Sequence, residues 1–295
     1  MKLIDCVERT AERLESAGVA FGHGTTNAFD EAAWLVLWRL GLPLDALDEN
    51  AGRGLDASEL AAVQALVDER IASRRPAAYL TGEAWLQGVP FDADERAIVP
   101  RSLIAEPLVD GTLEALLGRE PHQVLDLCTG NGSLAVLAAL AWPECRVLGT
   151  DLSAEALALA QGNLTRHALA DRARLRRGDG LAALRADERF DLVLCNPPYV
   201  NAESMSSLPP EFRAEPALAL AGGEDGMSFV RPLLAGIAAY LRPEAALVLE
   251  IGHERAHFDA AFPGLEPLWL ATSAGDDQVL VLTREQLTSG EARSR

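Results

Sequence analysis

The chain has 295 residues, a formal net charge of −18 at pH 7 and a pI near 4.7. This length predicts about two domains, each able to bury its own core, and 49% hydrophobic with 24% charged residues is typical of a soluble globular protein. Because an acidic chain repels nucleic-acid phosphates, the charge favours a small molecule or a basic protein as partner and argues against direct nucleic-acid binding.

The first 80 residues have the apolar spacing of helices. Apolar side chains recur at three- and four-residue intervals in residues 28–40 and 57–73, and a stretch that contains Gly and Pro separates these two segments. We therefore expect a helical domain over residues 1–80.

A hairpin is predicted after the helices. Trp85-Leu86 and Ile98-Val99 are the expected strands, and Gly88, Pro90 and Asp92 lie between them as turn residues. We therefore expect a β-hairpin connector over residues 81–99.

Strands and helices alternate from residue 123 onward. The predicted strands are residues 124–128, 146–150, 174–177, 190–195 and 246–251, and the predicted helices are residues 132–141, 154–167 and 227–241. Strands that helices separate pair in parallel, which predicts a doubly wound α/β sheet.

The last two strands differ from the others. Residues 266–271 and 278–283 surround Gly275-Asp276-Asp277, a turn signal that predicts an antiparallel hairpin at the edge of the sheet. We expect residues 100–295 to form the second domain, with a frayed polar end over residues 288–295.

Cysteine spacing and hydropathy bear on the compartment. Cys6, Cys128, Cys145 and Cys195 show no C-x-x-C pair, and such cysteines commonly behave as small buried hydrophobes. The first 12 residues are charged and lack the apolar core of a signal peptide, and no apolar run reaches the roughly 18 residues of a membrane span. We expect a cytoplasmic protein without a membrane partner.

The first strand of the predicted sheet leads into a candidate cofactor site. The segment Asp126-Leu127-Cys128-Thr129-Gly130-Asn131-Gly132 places two glycines where a ligand can approach the backbone at a helix N-terminus. Asp151 ends the second strand, where a carboxylate would accept from both hydroxyls of a ribose, and Asp179 follows the third strand, where it could accept from an adenine amino group.

Two cofactors fit this glycine spacing. With Ala135 it matches the nicotinamide dinucleotide fingerprint, so an NAD-dependent oxidoreductase stays open. Asp126, however, would repel a pyrophosphate beside the loop but tolerates a sulfonium and an ammonium group. This favours S-adenosylmethionine.

The tetrapeptide Asn196-Pro197-Pro198-Tyr199 is the most informative motif. It follows the buried strand 190–195, and because two prolines cannot extend a sheet, the Asn196 amide and the proline carbonyls face outward. These acceptors suit a planar –NH2 group, and Tyr199 adds a flat face for stacking. The motif resembles the signature of S-adenosylmethionine-dependent methyltransferases that act on a glutamine amide or on the exocyclic nitrogen of a base.

The chain as a whole resembles the protein-glutamine N5-methyltransferases. Phe21-Gly22-His23-Gly24-Thr25-Thr26-Asn27, Val99-Pro100-Arg101-Ser102 and Met205-Ser206-Ser207-Leu208-Pro209 are similar to the branch that modifies large-subunit ribosomal protein L-three. The resemblance implies the class I methyltransferase fold, with a mainly parallel seven-stranded sheet and an antiparallel terminal hairpin. It also implies S-adenosyl-L-methionine as cofactor and N5-methylation of a glutamine amide of that ribosomal protein.

The resemblance also implies the site residues. The expected catalytic residues are Asn196, Pro197 and Tyr199, and Pro198 joins them in substrate binding. The expected cofactor-binding residues are Asp126, Cys128, Thr129, Gly130, Asn131, Gly132, Asp151, Leu152, Asp179 and Asn196. Glutamine methylation of peptide-chain release factors and N6-methylation of adenine in nucleic acid remain alternatives.

One further motif is weighed as a metal site. His253-Glu254-Arg255-Ala256-His257 matches the H-E-x-x-H pattern of zinc proteases, which needs both histidines on one face of an established helix and a third ligand. Here His253 directly follows a strand and Gly252, and no third ligand follows. We expect no metal.

The segment Phe21–Asn27 lies far from the cofactor motifs in sequence. We expect the helical domain to select the protein partner, with Gly22 and Gly24 presenting His23 at a surface. The alternative is a helix-entry loop in which His23 caps backbone groups, since Asn27 and Asp30 are typical of a helix start.

Overall fold

Helices form the first part of the chain in the computed structural model, which describes residues 1–289. They are α1 (Leu3–Ser16), α2 (Ala28–Arg39), α3 (Leu47–Asn50), α4 (Ala57–Ser73) and α5 (Ala77–Thr81). The side chains of Asn27 and Asp56 cap α2 and α4 by accepting from backbone N–H groups of the first turn. The helices pack around fully buried residues such as Leu3, Leu35 and Val67, so the predicted helices at 28–40 and 57–73 are confirmed.

The hairpin is formed by β1 (Glu83–Leu86) and β2 (Val89–Asp92). Gln87 and Gly88 have φ values of 51° and 74°, as a two-residue hairpin turn requires. The prediction of Ile98-Val99 as the second strand was wrong, because this tight turn already brings Val89–Asp92 back onto β1. Pro90 is tolerated there because a two-stranded sheet has only edge strands.

A seven-stranded sheet follows. Its strands are β3 (Gln123–Leu127), β4 (Arg146–Asp151), β5 (Ala173–Arg177), β6 (Phe190–Cys195), β7 (Leu241–Glu250), β8 (Leu268–Thr272) and β9 (Gly275–Thr283). The order is β5-β4-β3-β6-β7-β9-β8, parallel from β5 to β7, with β9 antiparallel to both β7 and β8. The predicted fold class is confirmed.

Two details of the terminal hairpin differ from prediction. Gly275-Asp276-Asp277 begins β9, and the turn falls on Ser273 and Ala274, because Thr272 pairs with Gly275. Of the two hairpin strands, only β8 lies at an edge of the sheet, since β9 lies between β7 and β8.

Helices cover both faces of the sheet. They are α6 (Ala105–Val109), α7 (Thr112–Leu117), α8 (Ser133–Ala141), α9 (Ala154–Arg166), α10 (Ala202–Ser207), α11 (Pro210–Arg213), α12 (Val230–Gly236), α13 (Arg255–Ala261) and α14 (Arg284–Thr288). The helix predicted over 227–241 is shorter, because at Ile237 it tightens into a 3-10 turn that ends where β7 begins. Leu194 and Cys195, neighbours in β6, belong to cores on opposite faces.

Of the end predicted to be frayed, residues 288–295, the structure describes only residues 288 and 289. Residues 290–295 lie outside the described part of the chain. Within residues 1–289, no helix combines the length and apolarity needed to cross a membrane.

Candidate active site

A cavity of about 320 Å³ opens where the parallel strands end. Because β3, β4 and β6 run in the same direction, the residues that follow them meet at one edge of the sheet. The cavity is lined by six of the predicted cofactor residues: Cys128, Gly130, Asp151, Leu152, Asp179 and Asn196. Apolar groups that sequence reasoning missed close its sides, among them Ile98, Leu218 and Phe229.

Asp151 is held in one orientation at the end of β4. Its Oδ2 accepts from the backbone N–H of Gly130 at 2.9 Å, and its Oδ1 accepts from that of Ser153 at 2.8 Å. Each oxygen retains a lone pair for a further donor. The carboxylate is therefore preorganised to accept hydroxyl groups of a ligand in the cavity.

Asp126 lies beneath the glycine loop, is only 1% exposed and does not line the large cavity. Its Oδ2 accepts from the Thr129 hydroxyl and from the backbone N–H of Ala135 in α8. Burial raises the pKa of Asp126 to about 7, although both hydrogen bonds oppose the shift. Asp126 thus ties the loop to the first turn of α8.

Three other loop residues lie beside or behind the cavity. Thr129 and Asn131 are buried and border, with Asp126, a side cavity of about 30 Å³. Gly132 has a φ of 82°, and a Cβ there would lie 3.0 Å from the Cβ of Ala160 in α9. It therefore permits α8 to pack closely on α9.

A second cavity, of about 150 Å³, adjoins the first at the tetrapeptide. Both cavities are lined by Ile98, Asn196 and Ala219. The second is otherwise lined by Pro197, Tyr199 and residues from elsewhere in the chain, including Arg101, Leu208, Phe212 and Glu250. Asn196 therefore lies where two compartments meet.

Glu250 fixes the position of Tyr199. The Tyr199 hydroxyl donates to Oε1 of Glu250 at 3.2 Å, while Oε2 accepts from the Ser102 hydroxyl at 2.6 Å and the Leu103 N–H at 2.9 Å. Burial raises the pKa values of both Glu250 and Tyr199, and the carboxyl raises that of Tyr199 further, so the phenol stays protonated. Sequence reasoning missed Glu250, although a carboxylate that ends the apolar run of β7 was an available signal.

The charges around the large cavity are mostly negative. Four carboxylates and one guanidinium line it: Glu95, Asp151, Glu155, Asp179 and Arg96. Arg96 is already bound by Asp94 through a bidentate ion pair. This set disfavours the pyrophosphate of a dinucleotide and suits a cation such as a sulfonium.

The H-E-x-x-H segment has a structural role. Helix α13 begins only at Arg255, after His253. Glu254 binds the Asn201 side chain at 2.7 Å and the His257 ring at 2.6 Å. In the part of the chain that the structure describes, no group of three metal-ligating side chains comes together.

Comparison with known proteins agrees with this geometry. Residues 110–221 match the family model of the methyltransferase small domain. The hMettl16 catalytic domain, solved with a MAT2A 3'UTR hairpin, aligns with a TM-score of 0.52 and 14% identity over 77% of this chain and 81% of that chain, which supports the fold alone.

Close relatives extend over nearly the whole chain. Three are named ribosomal protein uL3 glutamine methyltransferase. The relative from Bordetella pertussis is 52% identical over 97% of this chain and 96% of its own length. The relatives from Burkholderia pseudomallei and Neisseria meningitidis are 48% and 43% identical, each over at least 96% of this chain and 94% of its own length. The expected resemblance and the expected cofactor are thereby confirmed: the chain is an S-adenosylmethionine-dependent methyltransferase and belongs to the ribosomal protein uL3 glutamine methyltransferase family.

Proposed function

We propose that this protein methylates N5 of a glutamine side chain of ribosomal protein uL3, the large-subunit protein L-three, in the cytoplasm. The observation that carries the proposal is the junction of two cavities at Asn196, one suited to the methyl donor and the other to the acceptor. The curated relatives bear this activity in their names.

The large cavity fits the donor. Asp151 is oriented to accept the ribose hydroxyls, Asp179 lies where it could accept from the adenine amino group, and Leu152 and Phe229 offer apolar faces to the ring. The glycine loop with Cys128 and Gly130 leaves backbone exposed beside the amino-acid part of the donor. When bound, S-adenosylmethionine supplies an electrophilic methyl group on a positively charged sulfur.

The acceptor cavity orients the amide. An amide nitrogen is a poor nucleophile because its lone pair is delocalised into the carbonyl. Asn196 and the carbonyl of Pro197 would accept both N–H bonds, which fixes the nitrogen and stabilises positive charge that develops on it. Such positioning can contribute about 7–11 kcal/mol when the reacting atoms are in line and in near contact.

Tyr199 completes the acceptor side, whereas Pro198, which the sequence predicted to bind the substrate, lines the large cavity instead. The Tyr199 ring would stack on the planar amide, and its hydroxyl cannot swing away because Glu250 holds it. The nitrogen loses its extra proton after methyl transfer, so no strong general base is needed beforehand.

Two features of the chain support uL3 as the protein substrate: its net negative charge and its N-terminal helical region. Ribosomal proteins are typically basic, so a chain of charge −18 attracts one at long range. We further propose that residues 1–80 select the partner, residues 81–99 connect, and residues 100–295 perform the chemistry. A connecting role for the hairpin is supported by its packing, since Ala84 packs with the helical core and Phe91 with the sheet core.

A parallel methyl-transfer assay tests the proposal. Tritiated S-adenosylmethionine is offered with purified uL3, a release factor and DNA, and label is expected in a glutamine of uL3. Asn196→Ala should lower kcat by about 10²-fold or more, since it removes an acceptor for the charged nitrogen. Label in DNA that declines steeply with salt would favour adenine methylation instead, and label in the release factor alone would favour the other glutamine branch.

A further inference from the structure

The segment that forms one wall of the acceptor cavity is held by the N-terminal helical region. Leu208 and Phe212, from the chain after the tetrapeptide, line that cavity together with Asn196 and Tyr199. Phe212 belongs to α11, a helix of only four residues that cannot fix its own position. What packs behind Phe212 therefore decides the shape of the cavity.

The loop between α1 and α2 packs directly on Phe212. The His23 ring centroid lies 4.2 Å from that of Phe212, and His23 is 1% exposed. A Cβ on Gly22 would come within 3.1 Å of the Phe212 ring. His23 thus does not lie at a surface, and the expectation that the loop presents it there was wrong, because the Phe212 ring and Glu215 cover it.

Charged contacts anchor both ends of α11. Before Phe212, Glu211 is fully buried and is bound at 3.0 Å by Arg74, the residue that follows α4, with Arg70 of α4 at 3.6 Å. After it, Glu215 receives both arms of Arg101 at 2.6 and 2.7 Å and lies 3.4 Å from Nε2 of His23. The guanidinium of Arg101 also lies 5.5 Å from the Phe212 ring centre.

We propose that Phe212 is a specificity-determining wall of the acceptor cavity, and that Gly22 and His23 are positioning residues that set its location from the N-terminal region. The aliphatic part of the glutamine side chain would pack on the Phe212 ring while its amide is held at Asn196. The inference rests on the proposed function, since it concerns the cavity that receives the glutamine.

Two glycines of the loop provide a matched pair of variants. Gly22 and Gly24 have φ values of 127° and 104°, so Ala strains the backbone at both. A Cβ on Gly22 meets Phe212, whereas a Cβ on Gly24 makes an ordinary contact of 3.5 Å with Trp34. Gly24→Ala therefore controls for backbone strain without displacing the cavity wall.

The test measures kcat and KM for uL3, the dissociation constant for S-adenosylmethionine and the melting temperature of each full-length variant. Gly22→Ala should lower kcat/KM for uL3 by roughly threefold to tenfold, because the Phe212 ring must move by a few tenths of an ångström and the reacting amide is then misplaced. Its cofactor affinity should stay within about twofold of wild type, as expected of a residue that acts only on the acceptor side. Gly24→Ala should retain kcat/KM.

A second series of variants tests whether the stacking of His23 on Phe212 affects binding of uL3 independently of any loss of folding. His23→Ala and Phe212→Ala should raise KM for uL3 by roughly threefold to tenfold, the equivalent of an aromatic pair, with cofactor affinity retained. His23→Phe, which keeps a ring against Phe212, should recover most of the loss of His23→Ala.

The controls distinguish the two proposals. Equal losses in Gly22→Ala and Gly24→Ala, or no recovery in His23→Phe, would overturn the inference while wild-type methylation of uL3 still stood. Absence of wild-type methylation of uL3 would overturn the proposed function and this inference with it.

Discussion

Asp151 holds the local structure together and, in the proposed site, would also bind the ligand. Its two oxygens accept backbone N–H groups from the glycine loop and from the start of α9, so that the loop is held against the end of β4 before any ligand arrives. A ligand then meets an acceptor whose orientation is already fixed, which reduces the ordering cost of binding.

Asp151→Ala should weaken S-adenosylmethionine binding by about 1.5–3 kcal/mol, the range for hydrogen bonds to a charged group. Isothermal calorimetry measures the change directly. Asp276→Ala, at an exposed carboxylate in β9, serves as the control and should bind like wild type. Unchanged affinity in Asp151→Ala would remove the ribose contact from the proposed site.

The glycine turn between β3 and α8 leaves space on one side for the cavity and on the other for the neighbouring helix α9. Gly130 lines the cofactor cavity, and a Cβ there would meet only the Cβ of Ala97 at 3.9 Å. Gly132 lies outside the cavity, and a Cβ there would press on Ala160 of α9. One glycine thus leaves space for the ligand, and the other leaves space for a neighbouring helix.

Alanine substitutions should separate these two requirements. Gly132→Ala should destabilise the fold by about 1–3 kcal/mol, because the contact with α9 is overpacked in addition to the backbone strain. Gly130→Ala should destabilise the fold less than Gly132→Ala does but should weaken the binding of S-adenosylmethionine more. Urea unfolding together with calorimetry measures both effects, and equal effects of the two variants on both quantities would contradict this division.

At the scale of the whole molecule, Glu215 joins distant parts of the chain. It accepts from the backbone N–H of Val99 at 2.9 Å and from Arg101, and it lies beside His23 of the N-terminal region. Burial alone would raise the pKa of Glu215, but Arg101 and the His23 contact outweigh burial and lower it to about 2. The folded state therefore binds this proton less readily than the unfolded chain.

This shift predicts a pH dependence of stability. A carboxyl with a lowered folded-state pKa contributes stability above its ordinary value of 4.5, and the contribution is lost as the pH falls from there towards about 2. The free energy of unfolding of wild type should exceed that of Glu215→Gln by on the order of 3 kcal/mol at neutral pH. The difference should narrow as the pH is lowered below about 4.5.

Denaturant unfolding at several pH values measures the difference. Glu203→Gln, an exposed carboxylate on α10, provides the control and should follow wild type at every pH. A gap between wild type and Glu215→Gln that stays constant at acidic pH would show that the charge of Glu215 does not stabilise the fold.

The sequence by itself determined the fold class, the parallel strands and the location of the glycine loop at the edge of the sheet. These follow from local signals, because apolar periodicity defines each element, and the carboxyl ends of parallel strands necessarily meet at one edge. The hairpin strand expected at Ile98-Val99 and the turn expected at Gly275-Asp276-Asp277 were misplaced, since several turn residues lay close together and only strand pairing chose among them.

Only the tertiary structure decided what surrounds the acceptor side. The burial of His23 against Phe212, the hold of Glu250 on Tyr199 and the contacts of Glu215 with Arg101 join residues that lie 51 to 189 positions apart. No local sequence pattern predicts such pairs. A buried charge or ring needs a partner, and that partner can come from any part of the chain that the fold brings close. The loop that carries His23 therefore acquired its place behind Phe212 from tertiary contacts, both packed rings and buried charges.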